Sequence, residues 1–220
     1  MQDELTIEEV DRDGAVAEAT AGLRESTRAG FFRRVGLFAG GGIVAGAVPI
    51  GLAIGQGTSK QDIEILNYAL TLEYLEAAFY AEANEKGNLT GIARTFSQVV
   101  GQHEASHVTT LQGVLGAKAT KRPSFDFKGT TKSEKTFLKP ARTLEDTGGA
   151  AYQGQATRIK STEVLASAGA ILAVEARHAA WVRDILGAGK DPSPAPESFS
   201  TPKSMKQILD AVGETGFIKS

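Results

Sequence analysis

Residues 71–80 read TLEYLEAAFY and residues 143–152 read TLEDTGGAAY. Thr, Leu, Glu, one Ala and the closing Tyr coincide, so the chain repeats itself. Downstream, HEASH at 103–107 and VEARH at 174–178 both contain Glu-Ala-x-His. Glu104 follows Glu73 by 31 residues, and Glu175 follows Glu145 by 30. Each half therefore reads as a helical hairpin, with one Glu on its first helix and a Glu-x-x-His on its second.

The apolar periodicity agrees. Over 61–83, Leu66, Ala69, Leu70, Glu73, Ala77 and Tyr80 recur at three- and four-residue steps and share one helical face. A second helix is expected over 92–115, with Phe96, Val100, Glu104, His107, Leu111 and Val114 in line. A third is expected over 133–160, bending at Pro140, with Gly148 and Gly149 marking close packing or a local distortion. The fourth spans 162–186, its inner face formed by Leu165, Ala168, Leu172, Glu175, His178, Ala179, Val182 and Leu186. Short links make helices one and two, and three and four, antiparallel neighbours. The link 116–132 has 17 residues. Extended, it reaches about 55 Å, against about 33 Å for a 22-residue helix. It can cross the whole bundle, with Phe125 and Phe127 tucked onto it. The expected fold is all-α: an antiparallel four-helix bundle of two helical hairpins joined by a long crossover.

Polar residues in those inward stripes need an explanation. Glu and His three apart lie on one side of a helix, so Glu104 with His107, and Glu175 with His178, form two such pairs. Four unpaired carboxylates in a core would repel and be heavily desolvated. Two divalent cations would match their charge, carboxylates can bridge them, and each imidazole supplies one nitrogen. The chain has no Cys and three His, which excludes disulfides, thiolate metal sites and a cysteine nucleophile and leaves metal binding to carboxylates. A net charge of −2 gives no basic field for nucleic acid.

One Glu from each of two helices plus Glu-x-x-His from each of two others is the ligand pattern of ferritin-like dinuclear carboxylate proteins. Over residues 61–190 the sequence resembles that superfamily, and within it the exported branch that includes plant desiccation-related proteins. LExLExxFY, LEDTGxxAY and EARHAA carry the likeness. The resemblance implies metal-ligand positions at Glu73, Glu104, His107, Glu145, Glu175 and His178. It places Tyr80, and by repetition Tyr152, where a tyrosine commonly supports a ligand. Glu76 lies one turn beyond Glu73 and reads as an extra ligand or proton carrier, although Gly148 stands in its place in the other half. His103 turns about 100° from Glu104 and reads as a packing or surface residue. Arg177 and Asp146 adjoin ligands and read as their hydrogen-bond partners or as helix-interface residues; Trp181 reads as core.

The flanks differ from this domain. Residues 1–34 hold eight acids and five bases and read as an acidic tail with a basic end. Residues 35–54 are uncharged, follow Arg28, Arg33 and Arg34, and suggest an export signal or membrane anchor over 35–57. Thr27 to Arg33 resembles a twin-arginine signal, with Ala29 at the second arginine position. The bundle is assigned to 58–190. A Pro-rich extension over 191–220 carries a short helix at 205–212, docked on the bundle or on a second copy through Phe199, Ile208, Leu209 and Phe217.

Oxygen-rich donors with one His per metal suit a pair of Fe or Mn ions. The leading expectation is an oxidoreductase acting on O2 or peroxide, by iron oxidation or peroxide removal, with a manganese catalase-like form as a variant. The alternative is an exported stress-protective protein whose metals only stabilise the bundle. The crossover, Pro-rich tail and export segment do not suggest an iron-storage cage.

Overall fold

The computed structural model describes residues 58–187 and 193–219. The acidic tail and the export or anchor segment lie outside the described residues, as do residues 188–192 and 220. The described residues form five α-helices and no strand, and none of these helices is long and apolar enough to cross a membrane.

Helix α1 spans Lys60–Lys86. The Ser59 side chain caps it by accepting from the Asp62 N–H at 3.0 Å. It runs three residues past the expected end, because the stop is Gly87 and not Asn84. Helix α2 spans Gly91–Leu115. Helix α3, Glu134–Ala156, is continuous across Pro140. Pro140 frees only the carbonyl of Thr136, a residue exposed to water. Helix α3 ends four residues before the expected boundary. The buried Asp62 carboxylate accepts the backbone N–H groups of Lys160 at 2.9 Å and Ser161 at 3.1 Å. Those N–H groups are thereby fixed as the turn into α4, Thr162–Gly187.

Helices α1 and α2 pack as one hairpin and α3 and α4 as the other, with α1 also against α3 and α2 against α4. A parallel bridge between Asn88 and Ser133 puts the start of α3 beside the α1–α2 turn. The Asp62 contacts put the α3–α4 turn at the opposite end. Helix α3 therefore runs antiparallel to α1, which requires the long crossover. Two 3-10 turns, Gly116–Lys118 and Thr130–Lys132, bracket that crossover. Phe127 is buried on it, its ring 5.3 Å from Phe79, and Phe125 stacks beside Phe127.

The inner face of α4 carries Ala168, Glu175, His178, Ala179 and Val182 as expected, and differs at its start. Val164 is buried while Leu165 is 40% exposed. The buried line runs Val164, Ala168, Ile171, Glu175, His178 and Val182, at steps of four and three that follow the helix more closely.

Residues 193–204 form no regular element, and α5 spans Met205–Thr215, opened by a Ser204–Gln207 capping box. Ile208, Val212 and Phe217 bury against the bundle. Phe199 and Leu209 do not bury against the bundle, being 88% and 45% exposed. The extension lies against α3, where the Lys203 N–H donates to the Ala150 carbonyl at 3.2 Å. A Cβ at Gly154 would fall 1.8 Å from the Lys203 carbonyl oxygen, so only glycine allows this approach.

Two apolar clusters fill the bundle. One gathers Phe79, Tyr80, Phe96, Phe137, Val182 and Ile208; the other gathers Leu66, Leu70, Leu111, Tyr152, Val164 and Ile171. Phe79 and Phe137 stack with centroids 5.3 Å apart. Truncating either would cost about 3–5 kcal/mol.

Candidate metal centre

The acids identified in the repeat meet in the core. Glu73, Glu104, Glu145 and Glu175 are fully buried, and His178 is 2% exposed. His107 is half-buried. Its Nδ1 lies 3.0 Å from Glu104 Oε2, 3.2 Å from Glu73 Oε2 and 3.4 Å from Glu175 Oε1. His178 Nδ1 lies 3.0 Å from Glu104 Oε1 and 3.1 Å from Glu145 Oε2. Glu104 thus turns one oxygen to each imidazole.

Two groups of four side chains result. One is Glu73, Glu104, His107 and Glu175; the other is Glu104, Glu145, Glu175 and His178. In each, one donor atom per residue lies within 4.8 Å of the others. Glu104 and Glu175 belong to both groups.

The tyrosines cross between the halves. Tyr80, on α1, donates its hydroxyl to Glu145 Oε1 on α3. Tyr152, on α3, donates to Glu73 Oε1 on α1 at 2.5 Å. Each engages the carboxylate oxygen that does not face the nearby imidazole, so the other oxygen keeps its aim. Burial, then the neighbouring Glu145 charge for Tyr80 and the Glu73 charge for Tyr152, pushes both phenols well above their usual range. Both therefore stay protonated donors.

Glu76 is 2% exposed, and its Oε2 has no hydrogen-bond partner. A Cβ on Gly148 would fall 2.7 Å from Glu175 Oε2 and 3.1 Å from Glu76 Oε1. The missing side chain of α3 is the space that these two carboxylates occupy. Burial, then the charges of Glu175 and Glu104, raises Glu76 well above the usual carboxyl range. Glu175 rises in the same way, by burial and then by Glu104. Glu104 is pushed up to about 7 by burial against the pull of His107 and His178. Burial pushes Glu73 up, but the His107 charge together with hydrogen bonds from His107, Glu104 and Tyr152 leaves it lowered. Burial opposes charge on His178, but the Glu104 and Glu145 carboxylates hold it up to about 10. His107 rises further, on Glu73, Glu104 and Glu175.

Several acceptor atoms in this layer lack partners. Both Glu175 oxygens are buried without a hydrogen bond, and Glu104 Oε1 is near His178 but out of line for one. Orphaned, converging carboxylate oxygens beside two imidazole nitrogens suit oxygen-preferring cations. The donor set therefore fits a dinuclear metal site.

Asp146 is outside both groups and pairs with Arg183 of α4 and with Arg142 at 3.6 Å, so it is a helix-interface residue. Arg177 is exposed, outside the cluster. Trp181 is half-buried and meets the Phe96 ring edge-on at 5.3 Å. His103 is exposed, but its ring meets that of His178 edge to edge, with Nδ1 2.9 Å from His178 Nε2 and the planes 16° apart. It is thus a surface residue, as expected, and one in contact with His178. His107 is four residues on, which a helix puts on nearly the same face. Between α3, α4 and residues 194–203 lies a groove of about 370 Å³ with Glu145 in its wall, kept open by Gly149, Ala150, Ala176 and Ala180.

An all-helical bundle whose apolar core encloses a carboxylate–histidine layer shared by two hairpins is the architecture of ferritin-like carboxylate proteins. The chain belongs to the ferritin-like domain family, whose sequence profile matches residues 61–188. Among curated proteins, none matches it significantly.

Proposed function

We propose that this chain holds a pair of Fe or Mn ions and works as an oxidoreductase on O2 or peroxide, in a ferroxidase-like or peroxide-removing role. The observation that carries the proposal is the sharing of Glu104 and Glu175 by two four-residue groups. Glu73 and His107 would complete one metal position, and Glu145 and His178 the other. When bound, such a pair exchanges two electrons with O2 or peroxide, and a manganese catalase-like reaction is one form of this chemistry. Tyr80 and Tyr152 fix the Glu145 and Glu73 carboxylates, and burial of the layer keeps bulk water away. The unpartnered Oε2 of Glu76 is the atom at which a proton can be held beside Glu175.

A second reading is favoured by burial. All five carboxylates are at most 2% exposed, as suits a metal pair that only braces the bundle. In that form the protein is an exported, stress-protective relative of desiccation-related proteins. In both readings residues 35–57 serve as export signal or anchor, and the domain works outside the cytoplasm.

Anaerobic loading with Fe(II), then O2, tests the first reading through the growth of ferric absorbance. Oxygen release from peroxide by Mn-loaded protein tests its variant. Metal that binds, raises the melting temperature and never reacts leaves the second reading standing. If Glu104→Ala with His107→Ala leaves metal content unchanged, the site assignment is wrong.

A further inference from the structure

His178 has two ring nitrogens with different surroundings. Nδ1 faces Glu104 and Glu145, so it is the nitrogen turned toward the carboxylate layer. Nε2 lies 2.9 Å from Nδ1 of His103. An imidazole that ligates through Nδ1 carries its remaining proton on Nε2 and needs an acceptor there. Nδ1 of His103 is placed as that acceptor: the two rings meet edge to edge, with their planes 16° apart, so its in-plane lone pair can face the Nε2–H.

The other half has no equivalent. The residue preceding Glu175, in the place of His103, is Val174. Among the described residues, no hydrogen-bond partner faces Nε2 of His107. An outer acceptor raises the basicity of a ligating imidazole and locks its tautomer and orientation, and its loss typically lowers metal affinity about 10- to 100-fold.

We infer that His103 is a positioning residue for the metal position of Glu145 and His178, and that it makes this position the tighter of the two. The inference rests on the dinuclear reading above.

The test is anaerobic Co(II) titration of the full chain against a competing chelator, followed by the visible bands of bound Co(II). The wild type should fill two positions in sequence. His103→Ala should weaken one of them about 10- to 100-fold and spare the other. His103→Asn, whose Oδ1 stands near the place of Nδ1, should restore most of the loss. His103→Phe, which keeps an aromatic ring without the acceptor, should not. In a His178→Ala background His103→Ala should add nothing, and in a His107→Ala background it should act in full. His103 is exposed, so these changes leave the core intact. Unchanged titration of His103→Ala, retention by His103→Phe, or equal loss at both positions overturns the inference. Wild-type protein that takes no Co(II) overturns the dinuclear reading itself. Two bound ions with an indifferent His103 overturn only the role of His103.

Discussion

Gly148 and Gly149 are adjacent in the middle of α3, and neither has a positive φ. Replacing either with Ala should gain about 1 kcal/mol of helix propensity. Their surroundings then separate them. A Cβ at 149 meets nothing closer than Glu175 Cβ at 3.9 Å, an ordinary contact. Gly149→Ala should keep its gain and raise the melting temperature by about 2–4 °C. A Cβ at 148 falls 2.7 Å from Glu175 Oε2, and Glu175 is fully buried and cannot swing into water. Overpacking of this kind costs about 1–3 kcal/mol, so the net change is about 0 to −2 kcal/mol and the melting temperature holds or falls by up to about 8 °C. The larger effect is on metal. Glu175 is common to both groups, so its displacement should weaken both positions by at least about tenfold, or 1.4 kcal/mol. Thermal unfolding of metal-depleted protein and Co(II) titration measure the two effects separately. Wild-type metal affinity in Gly148→Ala would refute the role of the cleared space. Destabilisation by Gly149→Ala would refute the propensity argument.

Tyr80→Phe and Tyr152→Phe each strip the hydroxyl from a buried carboxylate oxygen and should each lower unfolding free energy by about 1–3 kcal/mol, read by urea denaturation. Asp62→Ala removes the acceptor for the Lys160 and Ser161 N–H groups and should cost a similar amount, about 1–3 kcal/mol, while Co(II) affinity stays at the wild-type value. In metal-depleted protein, Glu104, Glu76 and Glu175 titrate above the ordinary 4.5. Their contribution is complete below pH 4.5 and is lost as pH rises through the folded values, about 7 for Glu104. The melting temperature should therefore fall between pH 5 and pH 8, and Co(II) affinity should rise over the same interval as protons are displaced. A melting temperature that is flat over that interval would contradict the raised carboxyls.

The six convergent residues were legible because the sequence repeats them at matched distances inside apolar stripes. The stripes also locate four helices and the crossover to within a few residues. What periodicity within one helix does not report is the partner across the bundle. Tyr80 and Tyr152 stand out as repeated positions, but that each serves the opposite half depends on α1 packing beside α3. The end of α3 is set by Asp62, almost a hundred residues earlier in the chain. Leu165 is apolar and reads as inward, yet the stricter four-and-three rhythm through Val164 and Ala168 leaves it on the outer face. Gly148 was visible as a break in the repeat; its purpose appears only beside Glu175 and Glu76.

The crossing of the tyrosines bears on how such a chain can be divided. A single hairpin carries a hydroxyl for a carboxylate that it does not own, and a carboxylate whose hydroxyl lies elsewhere. Two identical copies of α1–α2 would satisfy each other about a twofold axis, Tyr80 of one reaching Glu73 of the next. The crossover makes that meeting intramolecular and independent of concentration. It also lifts the requirement that the halves match. One half can then hold Glu76 where the other has Gly148, and His103 where the other has Val174, asymmetries that a pair of identical hairpins could not encode.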